Sequence, residues 1–321
     1  MKALLLLIGF IFASVHFAEA QQQSKLAKIG WLGVAPIVSS TGIEFFRREL
    51  RGLGYIEGKN ITIEVRSADN MLDRLSILAD ELARFKVDVL VVPSTPGALA
   101  AKNATRTIPI VFLGSGDPVA AGLVDSLARP GGNITGFTTS GSVLAGKRLE
   151  LLKETVPNLS RIAVLWDSYD PTTAQQWKES QLPARELGLQ LFSMEVSKAD
   201  KYEEGFKEAT KAYNAALAVT HSARFASNRQ RIAELAAKNR LPTIYARRDY
   251  VESGGLMSYG HDPAEPFRRA AVLVDKIIRG IKPADLPVEQ PSKFELVINL
   301  KTAKQIGLTI PSSVLARVDR V

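Results

Sequence analysis

The chain has 321 residues, which is enough for two compact domains, and it contains no cysteine. The absence of cysteine excludes disulfides, thiolate metal sites and thiol catalysis. The 41 basic and 33 acidic side chains give a net charge of +8. The basic residues are dispersed, without a block of five or six like charges, which argues against a nucleic-acid-binding protein.

The first twenty residues have the pattern of a cleavable signal peptide. Lys2 is followed by an apolar stretch from Ala3 to Val15, and Ala18-Glu19-Ala20 has the spacing of a cleavage site. The apolar stretch is shorter than the roughly 20 residues that span a bilayer, and charges interrupt every later apolar run. We therefore expect an exported protein whose mature chain is not inserted in the membrane.

After this segment, short apolar strands alternate with helices. Predicted strands cover 28–32, 61–65, 87–92, 108–113 and 134–138, and predicted helices cover 43–53, 72–85, 96–104 and 118–127. The strands 87–92 and 108–113 have no polar face, which is typical of parallel sheets covered by helices on both sides. This half of the chain is therefore predicted to form an open α/β lobe.

Two helices of this lobe are predicted to begin with a capping residue followed by proline. In Thr95-Pro96 and Asp117-Pro118 the first side chain can accept a hydrogen bond from a free backbone N–H at the helix start. Ligands of parallel sheets bind beyond the carboxyl ends of the strands, next to helix N-termini. Thr95 and Asp117 are therefore candidates for ligand contact, although capping alone also explains them.

The second half of the chain repeats this plan. Predicted helices cover 144–156, 172–187, 202–213 and 226–239, and predicted strands cover 161–166, 189–196, 216–220, 242–246 and 256–259. Ala-Ala-Lys-Asn occurs at 100–103 and again at 236–239, each time before an apolar strand, which favours an internal duplication. A helix over 262–280, a proline-rich link, a strand over 294–299 and a helix over 300–306 follow.

The sequence contains fragments of catalytic and metal-binding motifs. Gly141–Lys147 has the spacing of a phosphate loop, but Arg148 stands where a Ser or Thr must hold Mg²⁺. His221 and His261 lack the H-x-x-H or H-E-x-x-H spacing of a metal site. A serine–histidine–aspartate set can be assembled on paper, but any α/β protein allows such a set. We therefore expect no catalytic residue, no metal and no cofactor.

The residues at the predicted strand ends share a different chemistry. Their hydroxyls suit a carboxylate, their acids suit an ammonium group, and their aromatic rings suit an apolar or ring-bearing body. Such a set favours a small zwitterion as ligand. The predicted ligand-binding residues are Trp31, Ser94, Thr95, Ser115, Asp117, Thr138, Asp167, Ser168, His221, Arg247 and Tyr259.

Long blocks of the sequence resemble one known family. The most specific are GDPVAAGLV and PGGNITG, between Gly116 and Gly136, and PSKFELVINLKTAKQIGL, which begins at Pro291. Together with IGWLG, LRGLGYIEGKNITIEVRSADN, KRLELLKETVPNLSRIAVLWD and GGLMSYG they cover nearly all of the mature chain. The chain resembles the substrate-binding proteins of the tryptophan/tyrosine-type ABC transporter family.

This resemblance implies an α/β fold of the type I periplasmic binding protein class, with two doubly wound parallel-sheet lobes joined by a multi-strand hinge. We expect lobe 1 to comprise residues 26–138 and 262–280, and lobe 2 to comprise residues 139–261 and 281–321. By position in the family's motifs, Ser94, Thr95, Asp117 and Tyr259 are expected to face the cleft between the lobes.

The function that follows is an extracytoplasmic solute-binding component of an ABC importer, which captures a small amino-acid-like ligand between its lobes. The expected partners are the solute and an inner-membrane ABC permease, with the receptor acting as a monomer and without enzymatic activity. The alternatives are an exported hydrolase-like α/β enzyme and a ligand-sensor domain for a signalling partner.

Overall fold

The computed structural model describes residues 26–37, 41–139, 143–196, 202–210 and 215–321 and, within them, all side chains except those of Ser115 and Val143. The predicted signal peptide lies outside these residues. The described chain forms two separate sheets, each with helices packed on its faces. The predicted α/β fold with two parallel-sheet lobes is therefore confirmed.

The first sheet has five parallel strands in the order β2-β1-β3-β4-β5. These are β1 (Ala27–Gly33), β2 (Ile61–Ser67), β3 (Val89–Val92), β4 (Ile110–Ser115) and β5 (Ile134–Thr138). The helices between the first four strands are α1 (Thr41–Gly52), α2 (Leu75–Arg84) and α3 (Thr95–Ala104). All four residues of β3 are buried, as expected of a central strand covered on both faces.

The second sheet has six strands in the order β11-β10-β9-β8-β6-β7, and only its edge strand β11 is antiparallel. Its strands are β6 (Arg161–Trp166), β7 (Gln190–Glu195), β8 (Ala215–Val219), β9 (Thr243–Tyr245), β10 (Met257–Gly260) and β11 (Glu295–Ile298). The helices in this part of the chain are α4 (Val143–Thr155), α5 (Pro171–Glu186), α6 (Tyr202–Thr210), α7 (Ala223–Ser227), α8 (Arg229–Lys238), α9 (Arg248–Glu252), α10 (Glu265–Ile278), α11 (Leu300–Ile306) and α12 (Ser312–Leu315).

Helix α10 follows the second sheet in the chain but packs on the first one. Its buried residues Ala270, Leu273 and Val274 share one core with Ile29 and Val89 of the first sheet. Tyr55 donates a hydrogen bond of 2.8 Å to Asp275 of this helix. The chain therefore passes between the sheets after β5, again after β10 and again after α10.

The segment from 118 to 127 is not the helix that its sequence predicts. Asp117 accepts from the backbone N–H groups of Val119 and Ala120, both at 3.0 Å, so it caps a turn. The turn ends at Gly122, whose φ of 69° is left-handed and incompatible with a continuing helix. The chain then runs without regular structure to β5, with Leu123 and Val124 buried as anchors.

Two further predictions differ from the structure in detail. Helix α3 is capped by Ser94, whose Oγ accepts from the N–H of Gly97 at 3.2 Å, so Thr95 is the first helical residue and not the cap. The predicted helix over 226–239 is two helices, α7 and α8, separated at Asn228. Asn228 donates to the carbonyl of Arg224 at 2.9 Å, which closes the end of α7.

Candidate functional site

The carboxyl ends of the two sheets enclose a cavity between the lobes. The empty space at this site is about 620 Å³, a figure that includes the solvent at its open mouth. The first lobe contributes Trp31, Thr41, Gly42, Pro93 and Phe267, and the second contributes His221, Ala223, Ser227, Arg229, Arg247 and Asp249. Residues from both lobes are thus needed to complete the site.

One wall of the cavity is aromatic. Trp31 lies in β1 with 2% of its surface exposed, and its ring is stacked against Phe267 of α10 with centroids 6.2 Å apart. A Cβ at Gly42 would lie 2.6 Å from the Phe267 ring, so the ring can pack here only because Gly42 has no side chain. This wall offers a flat apolar face of the kind that packs against ring-bearing ligands.

The opposite wall carries an ion pair. Arg247 follows β9, and its Nη2 and Nε lie 2.7 and 3.1 Å from the two oxygens of Asp249. Both side chains are mostly buried, with 12% and 17% exposed. The pair places a cation and an anion side by side in the cavity, which suits the carboxylate and the ammonium group of a zwitterion.

His221 lines the same cavity. Burial and the positive charge of Arg247 lower its pKa well below the ordinary value, so the imidazole is neutral at neutral pH. Its Nδ1 is buried and has no hydrogen-bond partner among the described residues. A neutral ring with a free buried nitrogen can donate to or accept from a ligand.

The second histidine, His261, lies deeper at the hinge. It is 5% exposed, and its ring meets Phe137 edge-on with centroids 6.0 Å apart. Burial lowers its pKa to about 4, although its hydrogen bond with the carbonyl of Asp262 acts in the opposite direction. This histidine is therefore also neutral at neutral pH.

The lobes also touch directly beside the cavity. The hydroxyls of Thr95 and Thr172 lie 2.6 Å apart, which joins the start of α3 to the start of α5. Ser227 donates to the amide oxygen of Asn70 at 3.2 Å on another side of the cleft. The structure is thus a closed arrangement in which the cleft is bridged.

Three predicted residues, Trp31, His221 and Arg247, line the same cavity. Asp117 instead lines a second space together with Thr172 and Lys178, with about 580 Å³ of empty volume including open solvent. Its role as a ligand contact stays a prediction.

The other predicted residues have structural partners. Thr138 is buried and donates to the carbonyl of Gly116 at 2.9 Å. Tyr259 packs against Phe294 at 6.1 Å and joins the core of the second lobe. Ser168 is exposed, while Ser115 ends β4 and its side chain is outside the description.

Asp167 forms a buried ion pair rather than a free contact. Its Oδ2 lies 3.4 Å from Nε of Arg224, and the two side chains are 1% and 7% exposed. Burial raises the pKa of Asp167 more than Arg224 lowers it. Tyr169 covers this pair, with its ring 5.5 Å from the guanidinium carbon of Arg224.

Sequence reasoning missed Phe267 and Asp249. Phe267 lies on α10 and Asp249 lies on α9, whereas the predicted ligand-binding residues were chosen at the ends of strands. The internal duplication offered a signal for Asp249, because it occupies the position in the second repeat that Asp117 occupies in the first.

Two general features bear on the class of protein. The described residues contain no group of three or more His, Asp or Glu side chains placed to hold a metal ion. Within the same residues, no helix is both long and apolar enough to cross a membrane.

The chain is similar to known proteins over most of its length. A tyrosine-binding protein from Clostridioides difficile (strain R20291) is 27% identical over 281 residues, covering 86% of this chain and 81% of that protein. A conserved domain protein from Vibrio cholerae o1 biovar eltor is 30% identical, with a TM-score of 0.86, and covers 92% of this chain and 99% of that chain.

Two further solved structures are similar. An ABC domain from Streptococcus pneumonia in complex with L-Trp is 26% identical, with 92% and 100% of the two chains covered and a TM-score of 0.84. The ligand-free, open structure of a substrate-binding protein with adhesive properties from Clostridium difficile is 28% identical, with 92% and 99% covered and a TM-score of 0.65. The profile of the family described as ABC transporter substrate binding protein matches residues 39–321. The chain belongs to the ABC transporter substrate-binding protein family.

Proposed function

We propose that this protein is a periplasmic receptor that captures one amino acid with an aromatic side chain between its lobes and delivers it to an inner-membrane ABC permease. The observation that carries the proposal is the cavity, in which the Trp31–Phe267 wall faces the Arg247–Asp249 pair. The aromatic wall suits the side chain of such a ligand, Asp249 suits its ammonium group, and the positive charge on this side of the cavity suits its carboxylate.

The names of two similar proteins support this ligand class, since one is a tyrosine-binding protein and the other was solved with L-Trp. The TM-scores support capture by closure. At nearly equal identity and coverage, the chain superposes better on the L-Trp complex, at 0.84, than on the ligand-free open structure, at 0.65. The bridged cleft described above agrees with a closed arrangement.

The proposed receptor is monomeric and non-catalytic, and it releases its ligand unchanged. Closure about the hinge shifts the population toward a form that the permease recognises. The predicted signal peptide would bring the receptor to the periplasm.

A thermal-shift screen of the mature chain tests the ligand class. L-Tyrosine, L-tryptophan and L-phenylalanine are compared with aliphatic amino acids and with D-ribose as the control. A true ligand at 100 times its Kd stabilises the fold by about 2.7 kcal/mol. We expect stabilisation by at least one aromatic amino acid, which chromatography then recovers unchanged. Stabilisation by D-ribose alone, or consumption of the amino acid, would contradict the proposal.

A further inference from the structure

Arg148 is a buried arginine without an acidic partner. It lies in α4 with 6% of its surface exposed. Its Nε donates to the carbonyl of Tyr259 at 2.8 Å, and no carboxylate in the described part of the chain lies within ion-pair distance of its guanidinium. A guanidinium has five N–H donors, and a buried charge is normally paired. The four remaining donors and the charge of Arg148 therefore call for a partner.

The guanidinium lies at the edge of the sheet that faces the cleft. Tyr259 and Gly260 end β10, and a Cβ placed on Gly260 would be 3.8 Å from Nη2 of Arg148. Arg247 follows the neighbouring strand β9, and His221 follows β8, at the same edge. Burial is the main cause of the low pKa of His221 and of His261, and the nearby positive charges of Arg247 and Arg148 lower the pKa of both further.

The surrounding groups leave this positive charge uncompensated. The two histidines are neutral, and Asp249 is engaged by Arg247. Asp262, the acid beside His261, pairs with Arg248 at 3.1 Å and with Arg268 at 2.9 Å. Burial lowers the pKa of Arg148 itself to about 10, so the side chain stays charged at neutral pH. The hinge end of the cleft is therefore a site of net positive charge.

We propose that Arg148, together with the free Nδ1 of His221, forms an anion subsite that takes the carboxylate of the amino-acid ligand. This inference rests on the function proposed above and deepens it. Asp249 then takes the ammonium group, and the ring lies against Trp31 and Phe267. The subsite predicts that the receptor rejects amines that lack a carboxylate, because closure around such an amine buries an unpaired charge, which is costly.

Calorimetric titration with three probes tests the subsite on the full mature chain. L-Tyrosine carries both charges, tyramine lacks the carboxylate, and 3-(4-hydroxyphenyl)propionate lacks the ammonium group. The wild-type chain is expected to bind the propionate at least tenfold more tightly than tyramine. Equal or tighter binding of tyramine would overturn the subsite, and this comparison requires no variant.

The variants Arg148→Gln and Arg148→Lys are compared with Arg185→Gln, which changes an exposed arginine on α5. We expect Arg148→Gln to lose at least tenfold in L-tyrosine affinity and to bind tyramine as the wild type does. Arg148→Lys keeps the charge and should retain part of the affinity, and Arg185→Gln should bind as the wild type does. L-Tyrosine bound equally by the wild type and by Arg148→Gln overturns the subsite alone, whereas no binding of any aromatic amino acid to the wild type overturns the proposed function and the subsite together.

Discussion

The proposed binding of the ligand ammonium group depends on Asp249. In Asp249→Asn the side chain keeps its shape and loses its charge, and Arg247 is left without its partner. Removing one member of a desolvated charge pair costs about 2–5 kcal/mol of binding. We expect the affinity for L-tyrosine to fall at least tenfold in calorimetric titration. The matched control is Asp80→Asn, at an exposed position of α2, and equal losses in both variants would contradict the role of Asp249.

Asp170 makes the stability of the fold depend on pH. Its Oδ1 accepts from the N–H of Thr172 at 2.9 Å and caps α5, yet burial raises the pKa of this carboxyl from 3.8 to about 7. Between pH 4 and pH 7 the folded chain therefore holds a proton that the unfolded chain has lost. The stability from this group is complete below about pH 4 and is lost as the pH rises through about 7.

Asp170→Asn keeps the cap and removes the titration. The free energy of unfolding of the variant, relative to the wild type, should rise between pH 4 and pH 7 and stay constant above that. The rise has an upper limit of about 4 kcal/mol, from about 1.4 kcal/mol for each pKa unit. Urea denaturation at pH 4.5, 5.5, 6.5 and 7.5 measures it. A difference that does not change with pH would show that Asp170 does not titrate in this window.

The secondary-structure elements were mostly predictable because their sequences are locally consistent. Each described strand follows from an apolar run, and buried Val and Ile in β3 and β4 identify central strands. The segment after Asp117 was predicted wrongly because a cap followed by proline is compatible with a helix and with an isolated turn. Gly122 adopts a left-handed conformation, which ends the turn and excludes a continuing helix.

The site was less predictable than the elements. Strand ends identified Trp31, His221 and Arg247, because the carboxyl edge of a parallel sheet faces the ligand. Phe267 was not found, since only the tertiary packing of α10 brings it beside Trp31. The ion pair of Asp167 with Arg224 was not predicted, because the two residues are far apart in the sequence. Both the Trp31–Phe267 contact and the Asp167–Arg224 pair join residues that are distant in the sequence, so local sequence patterns cannot predict them.

Gly260 is the point where β10 meets the neighbouring strand most closely. A Cβ at this position would lie 1.9 Å from the carbonyl oxygen of Ala246, so the backbone must move to accept it. We expect Gly260→Ala to lower the free energy of unfolding by about 1–3 kcal/mol, the usual cost of overpacking. Chemical denaturation measures the effect. Gly52→Ala is the control, because that helical position has open space around it, and its stability should be equal to or above that of the wild type.

Ligand binding by the whole molecule depends on the balance between its open and closed forms. The hydroxyls of Thr95 and Thr172 join the two lobes in this structure, and we expect their contact to break when the lobes open. Thr172→Val removes it and leaves Thr95 unpaired, which disfavours closure by about 0.5–1.5 kcal/mol, the net value of one hydrogen bond. We expect L-tyrosine affinity to fall by about 2- to 10-fold at unchanged stoichiometry, as population shift requires.

Thr62→Val, on the edge strand β2 and far from the cleft, is the control for this change and should bind as the wild type does. Thr95→Val should have the same effect as Thr172→Val, and combining the two should cost little more than either alone, since both remove one contact. Additive losses would mean that the two hydroxyls act separately.

We expect an amino acid to close the two lobes, and a disulfide trap measures this closure. The native chain has no cysteine, so the double variant Thr95→Cys and Thr172→Cys carries a single thiol pair, at side chains whose oxygens are 2.6 Å apart in the closed form. Under mild oxidation, saturating L-tyrosine or L-tryptophan should speed disulfide formation several-fold, whereas D-ribose should not. An amino acid that binds this variant one-to-one in calorimetry and leaves the rate of disulfide formation unchanged would contradict capture by closure.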